Sequence, residues 1–107
     1  MAILLERRQS LRRRVFKGAK LFFQNYMMSV DCTIRNECDN GMQLLVDQDL
    51  MLPTEMTLLN RKEGTLAPVL MIWRHGNYMG VELDGDVEDV RASEKSHIRQ
   101  LTTMLRS

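Results

Sequence analysis

Apolar and polar residues alternate most cleanly in SVDCTIRN, residues 29–36. Val30, Cys32 and Ile34 fall on one face, and Asp31, Thr33 and Arg35 on the other. A period of two marks a strand with one buried face. RVFKGAKLFF, residues 14–23, mixes polar and apolar positions and predicts a strand before it. GMQLLV (41–46) and EMTLLN (55–60) predict two more, separated by Asp47, Asp49 and Pro53. RKEG (61–64) reads as a polar turn. Residues 67–83 predict a hairpin: an apolar strand through Trp73, a turn at His75-Gly76-Asn77, and a return strand from Tyr78 to Leu83. About six short strands at close spacing predict an all-β fold, a small barrel or sandwich.

The period changes at the end of the sequence. Ser93 is placed to cap a helix over 93–107, with Ile98, Leu101, Met104 and Leu105 on one face. A length of 107 residues corresponds to one domain. It divides into a basic N-terminal arm (1–14) expected to be flexible, a β-barrel (15–92) and the helix (93–107).

Composition adds an electrical asymmetry. The net charge is only +1. Residues 6–20 nevertheless carry Arg7, Arg8, Arg12, Arg13, Arg14, Lys17 and Lys20 against Glu6, while residues 82–94 carry Glu82, Asp84, Asp86, Glu88, Asp89 and Glu94 against Arg91. A basic head favours an anionic partner. No apolar run is long enough to span a bilayer, and MAILLERR lacks the order of a signal peptide, so a cytoplasmic location is expected. Cys32 and Cys38 are then expected as free thiols, and with distant His75 and His97 they make a poor metal site. Neither a glycine-rich phosphate loop nor a nucleophile–base–orienter pattern is present, so no enzyme is expected.

Two clusters carry candidate chemistry. The first is ERRQSLRRR, in which Arg8 and Arg12 are four residues apart. The guanidinium group is planar, permanently charged and forked, so it can stack on a purine and bind phosphate with two donors. The second is RNECDNG, residues 35–41, between two apolar runs. Asn-Gly is a hairpin signal, because glycine accepts positive φ without steric cost.

Together RRQSLRRRVFKGAK, DCTIRNECDNG and VLMIWRHGNYMGVEL resemble the PilZ domain family, bacterial receptors for the second messenger cyclic di-GMP. Arg8 and Arg12 match that family's R-x-x-x-R pair. Asn36 and Gly41 match its [D/N]-x-S-x-x-G turn, with Cys38 where the family has serine. The resemblance covers nearly the whole chain. It implies a six-stranded antiparallel β-barrel followed by a C-terminal α-helix. It implies that Arg8 and Arg12 wrap the ligand phosphates and stack on guanine, that Asn36 hydrogen-bonds guanine, and that Gly41 lets the backbone turn beneath it. Arg7, Arg13, Arg14, Arg35 and Trp73 are assisting candidates. No cofactor is implied beyond the ligand. Ligand binding would order the arm and so engage an unidentified downstream protein.

Cys38 departs from the pattern. A thiol is a weaker donor than a hydroxyl, so one hydrogen bond is weakened. Glu37 and Asp39 would oppose an anion unless they point away or pair with Arg35. The rival reading is therefore a degenerate PilZ-like protein-interaction module without ligand binding. Nucleic acid is not the expected partner, since Phe16, Phe22 and Phe23 are read as core rather than as stacking platforms. Trp73 is read first as a core or rim anchor, and His75 as solvated. Met42, Met71 and Met79 are assigned to the core, and Met27 and Met28 to the surface.

Overall fold

The computed structural model describes residues 12–92 and 95–105. Six antiparallel strands form the body: β1 (Arg13–Phe23), β2 (Met28–Cys38), β3 (Gly41–Leu45), β4 (Glu55–Asn60), β5 (Thr65–His75) and β6 (Tyr78–Leu83). They pair in the order β1-β2-β3-β6-β5-β4, and β4 returns to β1. The sheet is thereby a closed six-stranded barrel. A seventh strand, β7 (Glu88–Asp89), takes over the edge of β5 at Thr65 and Leu66, beyond the end of its pairing with β6.

The alternation in β2 works as the pattern predicts. Cys32 and Ile34 are buried, and Val30 packs against the same core. Leu21, Leu44, Val69, Met79 and Val81 fill the interior with Ile34, each less than 2 % exposed. Removing such a side chain from water contributes about 1.5–3 kcal/mol. Burial also pushes the Cys32 thiol up to about 12, which keeps it protonated and inert. The β5–β6 hairpin turns at Gly76 (φ +59) and Asn77, between the paired His75 and Tyr78. Arg74 does not reach toward solvent. It donates to the carbonyls of Leu50 (2.9 Å) and Asp47 (2.7 Å) and so ties the β3–β4 loop to this hairpin.

A second, smaller core lies outside the barrel wall. Phe22, Leu59 and Leu66 point outward from β1, β4 and β5 and are covered by Val90, Ile98 and Leu101. The covering segment is not the amphipathic α-helix expected over 93–107. One α-helical turn, α1 (Ser96–Arg99), runs directly into a 3-10 turn, Gln100–Met104. Ile98, Leu101 and Met104 are spaced by three, and a 3-10 turn with three residues per turn satisfies that pattern as well as an α-helix does. Neither turn has an acidic residue at its start. Ser93, the expected cap, lies outside the described residues.

Two further expectations change. Arg13 and Arg14 open β1 rather than belonging to an arm, and they pair with Glu37 and Asn36. Phe16 is not a core residue: it is 77 % exposed, with the Arg35 guanidinium 5.6 Å above its ring centre. Met42 and Met71 are partly buried against the core that holds Met79, while Met27 and Met28 are exposed, as expected. Among the described residues no helix is long and apolar enough to cross a membrane.

If the outer core fixes the C-terminal turn, Leu101→Ala should lower stability by about 2–3 kcal/mol, since Leu101 is 7 % exposed. Urea unfolding should report a lower midpoint with an unchanged slope. An unchanged midpoint would mean that the turn contributes nothing to the fold.

Candidate ligand-binding cleft

The antiparallel register brings five residues into one row across the outer face of the barrel. Arg14 on β1 pairs with Asn36 on β2, Asn36 with Gln43 on β3, Gln43 with Gly80 on β6, and Gly80 with Trp73 on β5. Each of the three register shifts in the barrel lies beside this row. They fall between Arg14 and Lys17, between Ile34 and Asn36, and between Met71 and Trp73. Each inserts one extra residue, which bends the strand and re-aims the side chains that follow. On β5 the extra residue is Ile72. Without it, strict alternation would send Trp73 inward with Met71. With it, the indole lies on the outside, 43 % exposed.

The indole rests on Gly80. A Cβ added there would stand 2.0 Å from Trp73 Nε1, so only glycine lets the ring come this close to β6. Gly41 also serves by its lack of a side chain, but not as the Asn-Gly signal suggests. Neither Asp39, Asn40 nor Gly41 has a positive φ. Asp39 and Asn40 form the turn between the paired Cys38 and Gly41. A Cβ on Gly41 would stand 2.9 Å from the Val81 carbonyl oxygen, so glycine is required because β3 presses closely on β6.

Along this row runs a cleft of about 200 Å³ that gathers Arg12, Asn36, Cys38, Gly41 and Trp73. Arg12, the second arginine of the first motif, therefore meets the second motif in one place, with the tryptophan beside them. The Asn36 carboxamide donates to the Gln43 side-chain oxygen across the hairpin, which leaves its own oxygen available as an acceptor. Gln43 is a site residue that sequence reading missed. It is the one polar residue within GMQLLV, and hairpin pairing with Asn36 is the signal that could have found it. Cys38 Sγ donates to the Gly41 carbonyl at 3.6 Å, within the turn itself.

The other arginines separate by strand parity. Arg13 turns toward Glu37 and lines a neighbouring cavity of about 170 Å³. Arg14 and Arg35 line a third cavity, with Asn36, Gln43 and Tyr78. Arg7 and Arg8 lie outside the described residues.

Glu37 faces the cleft, but its charge is balanced. It accepts from Arg13 at 3.4 Å and from Lys17 at 3.1 Å. Lys17 also donates to Glu63 at 3.0 Å. Burial pulls the Lys17 ammonium pKa down, but the hydrogen bonds to Glu63 and Glu37 outweigh this and hold it above the ordinary value. Lys17 and Glu37 are 15 % and 13 % exposed at the side chain, so solvent screens the pair less than an open surface pair. Pairing with Arg35, one of the two expected solutions, is not the one Glu37 uses. Asp39 is exposed in the turn.

The seat of the indole can be tested through its own emission, because Trp73 is the only tryptophan. Gly80→Ala should push the ring off β6 and shift its fluorescence to longer wavelength. An unchanged spectrum in a folded variant would show that Gly80 does not set the position of the indole.

The PilZ resemblance rests on residue pattern alone: no protein-family model matches the sequence, and no curated protein does.

Proposed function

We propose that this chain is a cytoplasmic receptor for cyclic di-GMP. The observation that carries the reading is the meeting of Arg12, Asn36, Cys38 and Gly41 with Trp73 in a single cleft. These residues come from three separate stretches of sequence, and their types suit one ligand class. A guanidinium takes phosphate, a carboxamide oxygen takes a base N–H, and an indole takes the face of a purine. The balanced charge of Glu37 removes one objection to an anion at this place. Arg12 directly precedes β1, and the resemblance gives Arg8 the same role toward phosphate. A ligand held by both would fix the preceding segment on the barrel and change the surface offered to a protein partner.

Calorimetric titration with cyclic di-GMP tests the reading, with GTP and cyclic di-AMP as controls. Arg12→Ala should weaken binding about 10- to 100-fold, as expected for a charge-assisted contact. Its melting temperature should stay the same, because Arg12 is exposed and outside the strands. Loss confined to Arg13→Ala or Arg14→Ala would show that the arginine register is wrong. Cys38→Ser should tighten binding about three- to tenfold by restoring one hydroxyl hydrogen bond. Undetectable binding in both the wild type and Cys38→Ser would favour a protein-interaction module instead.

A further inference from the structure

One charged group in the cleft is not accounted for. Glu82 lines it, opposite Gly41 in the β3–β6 register. Among the described residues the Glu82 carboxylate makes no ion pair and no side-chain hydrogen bond. It thus differs from Glu37, whose carboxylate is held by Arg13 and Lys17. A free carboxylate beside Arg12 works against an anionic ligand unless the ligand brings it hydrogen-bond donors.

The position of Glu82 limits what those donors can be. Gly80 and Glu82 are two residues apart on β6, so they share the outer face at a separation of about 7 Å. The Trp73 indole sits on Gly80. A flat base stacked against the indole would thus turn one edge toward the Glu82 carboxylate. Two oxygens in a plane accept best from two parallel N–H groups. Guanine offers that arrangement at N1–H and the N2 amino group. Adenine offers one amino group and a ring nitrogen lone pair, which the carboxylate would repel.

We infer that Glu82 is a second base-reading residue of the cleft besides Asn36, accepting from the N1–H and N2–H groups of a guanine whose face lies on Trp73. This rests on the cyclic di-GMP reading and adds a cause for discrimination against adenine. The division of labour is simple. Arg12 holds phosphate and carries no base information, while Glu82 reads the base and gives nothing to phosphate.

The test is titration of the full chain and of Glu82→Gln with cyclic di-GMP, cyclic di-IMP and cyclic di-AMP. Cyclic di-IMP has the N1–H group of guanine but lacks the N2 amino group. The wild type should bind cyclic di-GMP most tightly and cyclic di-IMP about tenfold less tightly, with cyclic di-AMP the weakest. Glu82→Gln keeps the shape but loses the charge and one acceptor. It should lose about tenfold for cyclic di-GMP and should bind cyclic di-AMP as well as the wild type or better, so the preference collapses. Glu82 is exposed, so an unchanged melting temperature should accompany the loss. If Glu82→Gln binds cyclic di-GMP as tightly as the wild type, the inference is overturned while the receptor reading stands. A wild type that binds none of the three ligands overturns both.

Discussion

Closure of the sheet is the constraint on which the rest depends. Once β4 pairs with both β1 and β5, no edge remains free in the six-stranded body, and each strand must present one face inward. Interior volume then dictates which residues lie inside, and Leu21, Ile34, Leu44 and Met79 take those places. The polar row from Arg14 through Asn36 and Gln43 is the outer counterpart of that packing. Three inserted residues break the alternation beside this row, and the one on β5 brings Trp73 out to join it. The cleft exists where barrel geometry is locally irregular, a common place for a site.

Electrostatics divides the basic head rather than pooling it. Glu37 and Glu63 engage Arg13 and Lys17, while Asp31 engages Lys20 and Arg61. The hydrogen bond from Lys20 is the first cause of the depressed Asp31 pKa. These pairs tie β1 to β2 and to the turn after β4. Arg12, Arg14 and Arg35 stay outside those pairs. A count of basic residues in the sequence overstates how many can meet an anion.

The strands were legible because the interior needs apolar side chains at every second position, and β2 displays this almost without exception. The boundaries of β3, β4 and β6 agree with the sequence pattern to within a residue for the same reason. The inserted residues were not legible. An extra residue such as Ile72 carries no local mark, and only the partner strand reveals the shift. Phe16 was misassigned for this cause, since it sits at the irregularity in β1. The C-terminal turn was misread because a spacing of three fits two kinds of helix. At the site, Asn36, Cys38 and Gly41 could be named only through the resemblance to the PilZ turn pattern. The reason for Gly41 could not, since it lies in the approach of a strand forty residues away. Gln43 and Gly80 came into view only through cross-strand pairing.

The central claim is that one ligand occupies the row from Asn36 to Trp73. The most direct measurement is a nitrogen–proton correlation spectrum of the labelled protein, titrated with cyclic di-GMP. The account predicts that the largest shifts fall on the backbone amides of Asn36, Gln43 and Gly80 and on the Trp73 indole N–H. Shifts concentrated instead at the β1–β2 turn, residues 24–27, or a spectrum that does not change at saturating ligand, would contradict it.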